Sequence, residues 1–232
     1  MFPIKDTIRS RSVPLVNWAL IVANIAVFLY EIRLSPDALD RLINTYGMVP
    51  AHFNPAHLAT FIPFFTHMFL HGGWFHIISN MWVLFIFGDN VEDRLGSGRY
   101  LIFYLLGGLA AAAMQTYISP KSSIPAIGAS GAIAAVLGAY ILFFPTARVI
   151  TLIPIFIIPW FIEIPAFFYL AFWFIAQLYS GLLSLSTSSG ASIDGIAWWA
   201  HIGGFIFGLL LARPFAYRKL PPRSHAGEYY PW

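Results

Sequence analysis

The sequence of 232 residues contains no cysteine. Disulfides, thiolate metal sites and cysteine nucleophiles are thereby excluded. Charge is scarce as well. Asp, Glu, Lys and Arg make up 10% of the residues, where a soluble domain carries about 25%. A surface short of charge faces lipid. The 13 Lys and Arg residues sit beside apolar runs, as positive-inside flanks do, and not in a nucleic-acid-binding patch. No internal repeat is visible and charge within the apolar runs is rare, which argues against a transporter.

Apolar residues make up 59% of the chain, enough for several spans of about 20 residues. The first is expected at about 14–32, entered by Lys5, Arg9 and Arg11. The run lacks a small-residue cleavage site behind it and reads as an anchor, not a signal peptide. A connection rich in Pro, His and Phe follows, its apolar stretches 61–65 and 68–70 suited to the membrane interface. Further spans are expected at about 75–90, 100–118, 128–144, 166–185 and 196–212. The apolar stretch from Val149 carries Pro154, Pro159 and Pro165, which oppose a regular helix because each removes a backbone donor. It is read as an interfacial lead-in to the fifth span.

Six spans place ten Lys and Arg on one side (Lys5, Arg9, Arg11, Arg94, Arg99, Arg148, Arg213, Arg218, Lys219, Arg223) and three on the other (Arg33, Arg41, Lys121). A seventh span would move the C-terminal cations outward, against the positive-inside rule. The expected organisation is therefore all-α: a cytoplasmic segment 1–12, a six-helix membrane domain 13–212 and a cytoplasmic tail 213–232.

In that topology spans two, four and six begin at one membrane face. Their early residues include His76 and Asn80, Ser130, and His201. Polar side chains within a span are costly and turn toward the bundle interior or a water-filled cavity. Ser130 lies in Gly128-Ala129-Ser130-Gly131 at a helix start, where unpaired N–H groups and the dipole favour a developing oxyanion. Alone the tetrapeptide fits a packing serine or an N-cap better. His201 precedes Gly204 and Gly208, a small-residue face that permits close helix packing against Gly131, Ala134, Ala135 and Gly138. Such packing brings a general base to a serine nucleophile. Asp194 lies in the preceding loop, so a dyad is expected and not a triad. His76 and Asn80, one turn apart, can donate to an oxyanion together with the Ser130 N–H. An interhelical clamp is the plainer alternative, and a bis-histidine haem or quinone site on His76 and His201 is another. His67 and His71 read as a structural polar pair, and Glu92-Asp93-Arg94 as a solvated cap. The aromatic-rich fifth span reads as lipid-facing.

The strings HMFLHGGWFHIISN (67–80), GDNVEDRLG (88–96), GASGAIAAVLGAY (128–140) and AHIGGFIFG (200–208), in this order, resemble the rhomboid intramembrane serine proteases across nearly the whole chain. The resemblance implies a six-helix fold without metal or cofactor and a Ser130–His201 dyad. It implies an oxyanion hole of His76, Asn80 and the Ser130 amide beside Gly128. It also implies cleavage of single-span membrane proteins near the outer face of the plasma membrane, with substrates entering past span five. An inactive, client-binding relative is the alternative, although it would be expected to lack the serine or the histidine. Ala134 stands where some members carry a tyrosine that stacks on the histidine. Phe61-Ile62-Pro63 stands in the region where some carry a Trp-Arg pair.

Overall fold

The structure is a computed structural model, which describes residues 2–155, 158–185 and 196–217. A strand β1 (Phe2–Asp6) leads into α1 (Leu15–Glu31). The connection holds α2 (Pro36–Tyr46), 3₁₀ turns and the short α3 (Pro63–Thr66). Then follow α4 (Trp74–Leu95), α5 (Ser97–Ile118), α6 (Ser130–Phe143), a hairpin of β2 (Arg148–Ile155) and β3 (Ile158–Pro165), α7 (Ala166–Leu185) and α8 (Trp198–Phe215). The protein is a helical membrane protein. Taken singly, α5 and α7 are long and apolar enough to cross a bilayer, and α4 joins them when counted with its lead-in 58–69, from which it is bent by 82°.

The short helix α6 forms the centre. It has 14 residues, about 21 Å at 1.5 Å per residue, and it is buried from Gly131 to Ile141. Its neighbours approach so closely that side chains have no room. A Cβ on Gly204 would stand 2.0 Å from the Gly131 carbonyl oxygen, and one on Gly208 2.1 Å from that of Ala135. From the other side, a Cβ on Gly138 would stand 2.3 Å from the Phe205 carbonyl oxygen. Helix α5 packs on a third face through Gly107 against Ala135 and through Ala111 against Gly131. Close packing is what drives helix association where lipid tails are as apolar as the helices.

Three expectations are corrected at the end of the bundle remote from Ser130. First, the fold is not all-α. The 149–165 stretch, read as an interfacial lead-in, is a β-hairpin, and β1 adds a third antiparallel strand in the order β1-β2-β3. Pro154 and Pro159 face each other in its register, and Pro165 ends β3 where α7 begins. Prolines at these positions interrupt little of the ladder. Second, residues 2–6 are an integrated strand: Phe2 pairs with Leu152, and the Trp82 indole donates to the Pro3 carbonyl at 2.6 Å.

Third, Glu92 is not solvated. It is 1% exposed and caps α1, whose Val16 and Asn17 amides donate to its carboxylate at 3.1 and 2.7 Å. Ser97 donates to the same group at 2.5 Å. A carboxylate at a helix N-terminus meets both the free amides and the dipole. The adjoining Asp6 carboxylate accepts from the Tyr140 hydroxyl and, at 3.0 Å, from the Asn90 amide.

Burial pushes the Asp6 carboxyl up from 3.8 to about 7, opposed by the Tyr140 hydrogen bond and reinforced by the Asp89 charge. The folded state therefore holds the Asp6 proton to higher pH than the unfolded chain does. This site's contribution to stability falls as pH rises from about 4 to 7. Asp6→Asn, which cannot ionise, should flatten that slope and raise the melting temperature at pH 7 and above, measured by circular dichroism in detergent. Gly204→Ala should destabilise the bundle by about 3 kcal/mol or more, the upper end of overpacking penalties, in the same measurement.

Candidate active site

The loop before α6 brings Ser130 to its place. Met48 and Ala126 form a two-way backbone bridge, with hydrogen bonds of 3.0 and 2.8 Å, and the Gly128 amide donates to the His67 carbonyl at 2.9 Å. Gly128 has φ +118°, a conformation side chains rarely adopt. A Cβ there would also lie 2.6 Å from His76 Nε2. The glycine thus serves both the turn and the approach of His76.

Ser130 is the first residue of α6, yet no side chain caps the helix. Its hydroxyl instead meets His201 Nε2 at 2.8 Å. The glycine contacts between α6 and α8 set this distance, since both residues sit at the start of their helices. The other ring nitrogen, Nδ1, lies 2.8 Å from Gln177 Oε1 on α7. Aromatic rings flank the imidazole on two sides. The Trp173 ring is 6.0 Å away and tilted by 33°, and the Trp198 ring is 6.1 Å away at 88°. Ala134, fully buried, packs toward Gly204 and leaves those tryptophans as the ring's aromatic neighbours.

On α4, the His76 ring takes a 3.4 Å hydrogen bond at Nδ1 from the Gly72 amide, so Nε2 is left to carry the proton and faces Gly128. Asn80, 6% exposed, has its Nδ2 without a hydrogen-bond partner among the described residues. A buried amide donor in that condition costs about 1–3 kcal/mol, which an incoming oxygen would recover. A cavity of about 480 Å³ connects these groups, lined by His76, Asn80, Ser130 and His201 and walled by Phe75, Pro125, Ile127 and Ile196. Chemically, it holds a hydroxyl with an adjacent imidazole, two side-chain donors and an apolar rim.

Sequence reasoning brought together Ser130, His201, His76 and Asn80, and all four meet at this cavity. It missed Gln177, although a single amide on the apolar α7 one turn after Trp173 was a readable signal. It read α7 as lipid-facing. Phe167, Phe168 and Phe172 do face outward, but Trp173 and Phe174 pack against α8, where Phe174 stacks on Phe205 at 4.6 Å. His67 bonds the Pro63 carbonyl through Nδ1 at 2.9 Å. The His71 amide donates to the Glu31 carboxylate at 3.2 Å. Asp194 and His225 lie outside the described residues.

A helical membrane bundle with a serine and a histidine hydrogen-bonded between two packed helices, beside a cavity with a few polar groups, defines a narrow class of membrane proteins. The chain belongs to the rhomboid family: the family model for the Rhomboid domain matches residues 56–218. Similar curated proteins are named Rhomboid protease GlpG, from Salmonella choleraesuis, Salmonella paratyphi A and Salmonella typhi. Each is 29% identical over 138 residues, which is 59% of this chain. The match spans about half of those relatives, 46% of their length.

Gly128→Ala should displace the His76 ring and cost about 1–3 kcal/mol of backbone strain. The expected signs are shifted His76 ring resonances and a lower melting temperature in a protein that still folds.

Proposed function

We propose that the chain is an intramembrane serine endopeptidase that cleaves single-span membrane proteins through an acyl-enzyme. The observation that carries this reading is the 2.8 Å contact between Ser130 Oγ and His201 Nε2. His201 accepts the Ser130 proton as the hydroxyl attacks the scissile carbonyl, and the C–N bond breaks as His201 returns the proton to the leaving amine. Water, deprotonated by the same imidazole, then adds to the ester and frees Ser130. The oxyanion is held by His76, Asn80 and the Ser130 amide. The unpartnered Asn80 Nδ2 and the His76 Nε2–H beside Gly128 support that assignment.

Six spans, α1 and α4 to α8, carry the site. Lys and Arg counts favour cytoplasmic termini, with the cavity toward the outer face of the cell membrane. Helix α6 is shorter than the hydrocarbon core of about 30 Å, so Ser130 begins below the membrane surface. A substrate carbonyl reaches it only where the substrate helix has opened. Strand β1 extends the membrane domain beyond 13–212 by packing residues 2–6 on β2.

The test is cleavage of a single-span reporter by detergent-purified protein. Ser130→Ala and His201→Ala should each abolish cleavage. His76→Ala and Asn80→Ala should each lower kcat by about 10²- to 10³-fold, as loss of an oxyanion donor does. Cleavage surviving in Ser130→Ala overturns the proposal.

A further inference from the structure

We propose that Gln177 is the positioning residue for His201: its carbonyl oxygen accepts the Nδ1 proton and so leaves Nε2 open to the Ser130 hydroxyl. The inference rests on the reading of Ser130 and His201 as nucleophile and base. A neutral imidazole has one N–H and one acceptor nitrogen, and only the tautomer with a bare Nε2 takes the serine proton. Nothing within the Ser130–His201 pair selects that tautomer, because a hydroxyl donates or accepts equally well.

Gln177 selects it. Its Oε1, which can only accept, lies 2.8 Å from Nδ1. Its Nε2 donates to the Trp173 carbonyl at 3.2 Å. That second bond fixes which end of the amide faces the histidine, since a flipped amide would oppose two carbonyl oxygens and lose the bond. The hydrogen bonds then run one way: Ser130 O–H to His201, His201 N–H to Gln177, Gln177 N–H to the backbone.

Position and burial agree with this role. Gln177 is 7% exposed on an apolar helix, where a buried amide is costly unless bonded. One turn further along α7 stands Gly181, whose Cβ, were there one, would lie 3.2 Å from Ile202 Cδ1. The missing side chain lets α7 seat against α8 and bring Gln177 to the ring. The titratable group facing His201 across the cavity is His76, with Ser130 on α6; α7 carries no Asp, Glu, Lys, Arg or His, its ionisable side chains being Tyr169 and Tyr179. Among the described residues no carboxylate lies within 4 Å of either ring nitrogen, so no acid takes the orienting role.

Two variants test the idea. Gln177→Leu keeps the size and removes the acceptor, and Gln177→Glu keeps an acceptor and adds charge. Long-range ¹H–¹⁵N spectra of histidine-labelled protein in detergent report the tautomer, with His201 assigned by its loss in His201→Gln. Wild type should show the Nδ1–H form, and Gln177→Leu a mixture with the Nε2–H form. On the reporter, Gln177→Leu should lower kcat about 10- to 100-fold, less than loss of an orienting carboxylate. KM should stay within about threefold, because ground-state binding is untouched. Gln177→Glu should recover most of kcat at high pH, with the acidic limb of its profile moved to higher pH, since the carboxylate favours the protonated ring. An Nε2–H form in wild type overturns the inference. So does equal impairment of both variants with unchanged pH profiles, the outcome of a purely structural role. A wild type that cleaves nothing, or a Ser130→Ala variant that still cleaves, counts against the protease reading, while the spectra still decide the role of Gln177.

Discussion

Lipid gives two apolar helices no reason to prefer each other over the surrounding chains. What holds them is closeness, and closeness requires that side chains be absent. The contact of α6 with α8 meets this requirement at Gly138, Gly204 and Gly208, where a single added carbon would strike a carbonyl oxygen of the facing helix. Other parts of the bundle are arranged around this contact. Helix α6 is enclosed because small residues let neighbours crowd it on several faces. The serine and histidine stand opposite each other because each begins one of the two helices so joined. The geometry of the Ser130–His201 pair and the packing of α6 on α8 are the same fact here.

The two ends of the bundle use their polar groups differently. Remote from Ser130, carboxylates are saturated: Glu92 takes two amides and a hydroxyl, and Asp6 takes a phenol and an amide. Near Ser130, donors gather around a cavity, and Asn80 holds one that no described residue satisfies.

Much of this was legible in the chain. The helix positions followed from apolar runs, and the candidate-site residues from polar groups placed early in alternate apolar runs. The sheet was harder. Arg148–Ile155 and Ile158–Pro165 are rich in β-branched and aromatic residues, but they are apolar on both faces and so show no alternation. Their prolines correctly excluded a helix without naming what replaced it. Glu92 was misread because a carboxylate near a span end usually faces water, and its partners lie 75 and 76 residues earlier. Gln177 escaped because its meaning depends on His201, 24 residues away. Ala134 told what was missing near the histidine, and only the packed helices reveal Trp173 and Trp198 beside it.

Glu92 also imposes an order in time. The amides of α1 find their acceptor 75 residues further along the chain. At about 5–20 residues per second of synthesis, that acceptor emerges about 4–15 s after the helix it caps. Asp6 waits longer, since Tyr140 follows it by 134 residues. The strand that carries Asp6 therefore settles only after α6 has been made. The Asp6 carboxylate must stay unlatched, and available, until the centre of the bundle has been built.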